Sequence, residues 1–259
     1  MLLVIDVGNT NTVLGVYADG VLREDFRIES ARGKTADEYG VLLRAMLELR
    51  GIKAADITDS ALASVVPALT ETFVRTVKRA FGHDPMVVGP GIRTGMPILY
   101  EQPREVGADR IVNAVAAYER VKSGLIVVDF GTATTFDVVS PKGEYLGGVI
   151  SPGIQISADA LFSRAAKLPR VEIARPQRVL GRNTQHAMQS GIVLGYVGLV
   201  DGIVARLQDE MGFPCRVFAT GGLARLIAPE SKCIETVDDN LTLDGLRILW
   251  ERNRANTAA

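Results

Sequence analysis

The sequence predicts an α/β fold made of two copies of one unit, and three observations carry that reading. A short apolar run ending in an acidic residue occurs at 2–6 and again at 125–129. Each run is followed by a turn containing Gly and Thr, a second apolar run, a hairpin turn and a third strand, so the order of elements repeats 123 positions along the chain. The strand sets are separated by stretches with the apolar spacing of helices.

The elements follow in order. Residues 2–5 and 13–17 read as strands joined by a polar loop, with Asp19 and Gly20 as the turn into a third strand at 21–28. Thr35 and Glu38 have capping-box spacing and open a helix to about Leu49, which Gly51 stops. A strand at 61–66 is halted by Pro67, then come a helix at 69–81 and a short strand at 86–88. Residues 89–105 are rich in Gly and Pro, as suits a loop or a crossover, and divide an N-terminal lobe (1–105) from a C-terminal lobe (106–259). The second lobe opens with a helix at 106–121, with Ile111, Val115 and Tyr118 on one face. Strands at 125–128, 136–139 and 144–150 follow, with Pro141, Lys142 and Gly143 as the turn. Next come a helix at 154–166, a polar loop to Asn183 and a long apolar helix at 184–211. That helix carries Gly191, Gly195, Gly198 and Gly202. Glycine costs up to about 1 kcal/mol inside a helix, so these four point to close backbone packing, across a dimer interface or within the core. A strand at 215–220 leads through Gly221 and Gly222 to a short helix at 223–227. Residues 243–250 belong to a last amphipathic helix, with a frayed tail expected after Arg252.

Composition narrows the classes of function. The chain has 259 residues, 47% hydrophobic and 23% charged, enough for a core without metal or disulfide staples. A net charge of -1, from 29 basic and 30 acidic residues, provides no electrostatic footprint for nucleic acid or an anionic membrane. No apolar stretch reaches the ~18 residues of a membrane span, and no signal peptide is legible, so the expected location is cytoplasmic. Cys215 and Cys233 have neither disulfide nor metal-ligand spacing and read as buried reduced thiols. His83 and His186 read as surface or capping residues.

Two familiar motifs fail on spacing. Gly33, Lys34 and Thr35 end like a P-loop, but Ile28 stands where the motif needs its first Gly. Gly89, Gly91 and Gly95 lack the dinucleotide-binding spacing. The duplicated acidic turns are the stronger signal. Aligned without a gap, the two turns share the Asp (Asp6, Asp129), the Gly (Gly8, Gly131) and the last Thr (Thr12, Thr135). A tight turn of this kind directs backbone N–H groups and hydroxyls at phosphate oxygens, while the Asp can hold the accompanying cation. Ala219, Thr220, Gly221 and Gly222 end a strand where backbone could approach a flat ligand such as adenosine.

These three elements resemble the superfamily of actin, Hsp70 and acetate and sugar kinases, which implies two duplicated ribonuclease H-like lobes with an interlobe nucleotide cleft. Gly107, Ala108, Asp109 and Arg110, taken with the run from Gly147 to Gly153, narrow the likeness. The chain resembles the bacterial type III pantothenate kinases, with all motifs in order from Leu2 to about Trp250. That resemblance implies transfer of the γ-phosphate of ATP to the 4′-hydroxyl of pantothenate, the first step toward coenzyme A. It makes Asp109 the general base, which a helix N-terminus would keep ionised. It gives Arg110 the substrate carboxylate, with Tyr100, Gly107, Ala108 and Thr184 as further substrate contacts. Asp6, Val7, Gly8, Asn9, Thr10, Asn11, Thr12 and Val13 would cradle the ATP phosphates, with Asp6 on Mg²⁺, and Thr132, Gly221 and Gly222 would complete the nucleotide site. Asp129 would hold a monovalent cation, K⁺ or NH₄⁺. A homodimer is implied, and residues 89–105 are a candidate lid.

Overall fold

The protein is described here by a computed structural model, and residues 1–254 are those described. Two five-stranded sheets organise it. In the first, β1 (Leu2–Val7), β2 (Asn11–Ala18) and β3 (Val21–Glu29) form an antiparallel meander. β4 (Asp59–Ser64) and β5 (Met86–Val87) add in parallel beyond β1, giving the order β3-β2-β1-β4-β5. In the second, β6 (Leu125–Phe130), β7 (Ala133–Val139) and β8 (Tyr145–Pro152) form the meander. β9 (Arg216–Thr220) and β10 (Thr236–Val237) add in parallel, repeating the same order. Each meander is interrupted by an irregularity at the same rung, Val16/Tyr17 in one and Val138/Val139 in the other.

The rungs correct the gapless alignment of the two turns. Val7 pairs with Thr12, whereas Phe130 pairs with Thr134. The second turn is therefore one residue shorter, and Thr12 corresponds to Thr134 rather than Thr135. Both are fully buried.

The helices cover the sheets for ordinary reasons of burial. α1 (Ala36–Glu48) begins with the expected capping box: Thr35 N donates to Glu38 Oε2 at 2.7 Å and Glu38 N to Thr35 Oγ1 at 3.3 Å. α2 (Pro67–Phe81) takes in Pro67, so the proline starts the helix instead of merely stopping the strand. Its fixed φ and missing N–H suit a first helical position. These helices bury Tyr39, Leu43, Phe73 and Val77 against Leu3, Ile5 and Val7 of β1. α3 (Ala108–Val121) is buried at every position from 110 to 117, so it does not present the single apolar face expected of it. In the second sheet, α4 (Ile154–Arg164), α5 (Thr184–Met211) and α6 (Ala224–Ile227) lie over Ile126, Val128 and Phe130.

Contacts divide the chain into two compact units: Met1–Ala116 with the chain from Leu241 on, and Ala117–Asn240. The lobe boundary expected after residue 105 differs at both ends. α7 (Leu241–Arg254) returns to the first sheet, burying Leu241, Leu243, Leu246 and Leu249 on the face of β1, β2 and β4 away from α1 and α2. Gly245 admits the backbone of Val112, since a β-carbon there would lie 2.3 Å from its carbonyl oxygen. The helix runs through Arg254, so the fraying expected after Arg252 does not begin there; the rest of that tail lies outside the described residues.

Candidate active site

The first unit holds one acidic turn. Asp6 and Val7 end β1, Gly8 N donates to Asn11 O at 3.1 Å, and Asn9, Thr10 and Asn11 are exposed. A β-carbon at Gly8 would sit 2.9 Å from that same oxygen, so the turn closes this tightly only around glycine. Thr12 is anchored by Ser30, with Oγ1 and Oγ 2.9 Å apart in the core, and Ser30 N donates to Thr10 O at 3.0 Å. Val13 follows in β2. The next parallel strand brings α3 to the same end of the sheet: Val65 N donates to Val7 O at 3.1 Å, and a β-carbon on Gly107 would lie 3.5 Å from Val65 Cγ1.

Asp109 is the second residue of α3. Its Oδ1 accepts from Arg110 N at 2.8 Å and lies where a β-carbon of residue 107 would be, 2.5 Å away, so Gly107 leaves the room its carboxylate occupies. Burial pushes the Asp109 carboxyl above the usual carboxylate range, against the opposing hydrogen bond from Arg110 N and the Arg110 charge. The expectation that the helix N-terminus would lower its proton affinity is overturned, because loss of water outweighs the few dipoles facing it. A carboxylate so placed is a stronger base than an exposed one. Arg110 itself is buried, not a surface residue. Tyr100 is half-buried in the Gly- and Pro-rich segment. That segment is tied down near its start: Arg93 N donates to Asn253 Oδ1 at 3.0 Å, Asn253 Nδ2 donates to Arg93 O at 3.1 Å, and Arg252 Nη1 donates to Thr94 O.

The second unit holds the other turn. Asp129 is the last-but-one residue of β6, and Thr132 is exposed in the turn. Gly153 N donates to Thr132 O at 3.1 Å, and a β-carbon on Gly153 would strike that carbonyl at 2.2 Å. Gly221 follows β9 with φ +91°, and a β-carbon there would stand 2.5 Å from Asp129 Oδ1 and 2.7 Å from the Phe130 backbone. Space over the Asp129 carboxylate thus exists only because residue 221 has no side chain. Gly222 precedes α6.

Thr184 begins α5, but the cap is Asn183, whose Oδ1 accepts from His186 N at 2.8 Å. Capping therefore does not explain Thr184. It lines a groove of about 850 Å³ with Leu161, Arg182, Met188, Ile192 and Tyr196. The four α5 glycines do not pack in the core, since a β-carbon at Gly191, Gly195 or Gly198 would meet nothing within 4 Å and one at Gly202 only an Arg206 side chain. α5 corrects the expectation that no apolar stretch reaches the length of a membrane span. An 18-residue window of it has a mean hydropathy of 1.5 with 28% of that window buried, and it is the one helix among the described residues long and apolar enough to cross a membrane. Of the thiols, Cys215 is buried and Cys233 partly so, and burial pushes Cys233 up to about 11.

The first unit contains residues 6–13, Tyr100 and residues 107–110, and the second contains Asp129, Thr132, Gly221, Gly222 and Thr184. The sequence places Gly153 at the end of the run from Gly147 but does not show its contact with Thr132, and Ser30 carries no local signal of its contact with Thr12.

Two sheets of one topology, each with an acid and a glycine turn at the end of its central strand, define a duplicated α/β fold of the actin, Hsp70 and sugar kinase type. Solved structures share it across nearly their whole length. One described as a conserved Baf family transcriptional activator from Campylobacter jejuni has a TM-score of 0.61 at 19% identity, covering 98% of this chain and 99% of that one. Another, described as a 2-dehydro-3-deoxygalactonokinase protein from Sinorhizobium meliloti, has a TM-score of 0.59 at 12% identity, covering 97% and 96%. A family model described as type III pantothenate kinase matches residues 2–206. The type III pantothenate kinase of Myxococcus xanthus (strain DK1622) is 61% identical over 99% of this chain and 100% of its own length. That of Anaeromyxobacter sp. (strain Fw109-5) is 63% identical over 98% and 100%. The chain belongs to the type III pantothenate kinase family.

Proposed function

We propose that the protein transfers the γ-phosphoryl group of ATP to the 4′-hydroxyl of pantothenate, with Asp109 as the base. The observation that carries this reading is the Asp109 carboxylate, half-buried at the start of α3 in room that Gly107 leaves for it. Asp109 accepts the hydroxyl proton as that oxygen bonds to the γ-phosphorus and the bond to the ADP oxygen breaks. Arg110, with its planar fork, binds the pantothenate carboxylate. Tyr100, Gly107, Ala108 and Thr184 make the remaining substrate contacts. Residues 6–13, Thr132, Gly221 and Gly222 position the nucleotide.

Two cations fit the donor sets present. Asp6 with its hydroxyl-rich turn offers the oxygen ligands Mg²⁺ takes, and Asp129 has glycine-cleared space above its carboxylate for K⁺ or NH₄⁺. When bound, such ions offset negative charge on the phosphoryl oxygens.

A second copy of the chain accounts for α5. Its exposed glycines, the neighbouring apolar groove and exposed Ile156 and Leu161 of α4 form a surface suited to close helix packing in a homodimer. A net charge of -1 and a dimer that covers α5 fit a cytoplasmic enzyme without nucleic-acid or membrane partners. ADP release by the purified protein with ATP and Mg²⁺ should require pantothenate. ADP release independent of pantothenate would sink the substrate assignment.

A further inference from the structure

The second sheet carries a file of polar side chains on the face that bears Asp129. Thr135 stands opposite Asp129 on the β6–β7 rung, so their side chains share a face. Thr135 Oγ1 donates to Asp137 Oδ2 at 3.3 Å, and Tyr145 Oη donates to Asp137 Oδ1 at 2.7 Å. Asp137 and Tyr145 are fully buried. A carboxylate removed from water is costly even when hydrogen-bonded, so folding alone gives little reason to keep one here.

The duplication provides a control within the same molecule. By matching rungs, Asp129 corresponds to Asp6, Thr135 to Val13, Asp137 to Gly15 and Tyr145 to Leu22. The first unit builds the same meander with Val, Gly and Leu at these places, and Leu22, Val4 and Leu243 crowd the space beside Gly15. The topology therefore does not need the file. The acid at the head of the strand is common to both copies, while the polar groups beneath it belong only to the second.

We propose that Asp137 is a positioning residue that turns the Thr135 proton inward, so that Thr135 Oγ1 offers only lone pairs beside Asp129 and serves as a second oxygen for the monovalent cation. The proposal rests on the reading that Asp129 holds that cation. A hydroxyl has one donor and two acceptor positions. With its proton committed to Asp137, and Asp137 held by Tyr145, Thr135 can face a cation or an N–H but cannot donate. Val13 at the matching place beside Asp6 offers no such oxygen, which separates the two acids chemically.

The test compares K⁺ with tetramethylammonium at equal ionic strength. Calorimetric K⁺ affinity and the K⁺-specific rise in Tm are read beside kcat and KM. Thr135→Val, which writes the first unit's residue into the second, should weaken K⁺ binding by about tenfold or more, with kcat recovering at high K⁺. Asp137→Asn should do the same, because its amide N–H donates to Thr135 and reverses the hydroxyl. Thr135→Ser should keep wild-type affinity, and the double variant should bind K⁺ no more weakly than either single one. Wild-type K⁺ affinity in Thr135→Val overturns the proposal, as does a fall in Tm that is equal in both salts with affinity unchanged. Should Asp137→Asn not fold, Thr135→Val carries the test alone. Asp129→Asn separates the two readings. If the wild type has no K⁺-specific response, or Asp129→Asn retains it, the cation assignment fails and the proposal falls with it. If Asp129→Asn abolishes the response while Thr135→Val preserves it, only the proposal fails.

Discussion

At the scale of single residues, the site trades stability for reactivity. The Asp109 carboxyl is raised by burial, so the folded state binds its proton more tightly than the unfolded chain does. The stability this contributes is full below the ordinary carboxylate range and is lost as pH rises through the raised value. Asp109→Asn should therefore raise Tm at pH 7–8 relative to wild type, with the gain shrinking toward about pH 4, while turnover falls by several orders of magnitude. An unchanged or lower Tm across that range would mean that burial does not govern the group. The acid limb of kcat/KM should likewise lie above the ordinary carboxylate range. Gly221→Ala tests the other unit. Its left-handed φ of +91° and the 2.5 Å approach to Asp129 Oδ1 make any side chain costly, by about 1–3 kcal/mol. Reduced K⁺ stimulation should accompany the lower Tm, and unaltered values of both would contradict the crowding.

At the scale of elements, local rules account for α1 and leave α5 unfinished. Thr35→Ala removes one side of the capping box and should cost about 1 kcal/mol in denaturant unfolding, with activity intact. For α5 the two forces on a glycine act in opposite directions. A β-carbon at Gly195 meets nothing within this chain, so Gly195→Ala should favour the helix in an isolated subunit by up to about 1 kcal/mol. In a tightly packed dimer the same methyl group should drive subunits apart. Sedimentation of Gly195→Ala and of a bulkier Gly195→Leu decides between them. A wild type that is monomeric at micromolar concentration would remove the dimer.

At the scale of the whole molecule, the last helix closes the first unit. α7 lies more than a hundred residues from the strands it covers, yet Leu246 is fully buried there, and Tyr17 Oη donates to Asp244 Oδ1 at 2.7 Å. Leu246→Ala should cost about 2–5 kcal/mol. Loss of hydrogen-exchange protection in β1 and β4 would locate the damage in the first unit. Protection lost first in β6 and β9 would show that α7 serves the other one.

Patterns that depend on neighbours in sequence were legible from sequence. Apolar period, capping-box spacing and hairpin turns placed nearly every strand and helix, because each rests on residues within a few positions of one another. The paired acidic turns, Gly107 and the Gly221–Gly222 step were readable for the same reason. The shorter second turn was not, since a one-residue gap alters strand register, and register is set by partner strands. The two-residue strand β10 left too little pattern to read. Nor could sequence show that α7 returns to the first sheet or that three of the α5 glycines look outward. The sign of the Asp109 shift depended on burial, and the file from Thr135 to Tyr145 on matching rungs across three strands. Each of these is a property of distance through space, which chain order does not encode locally.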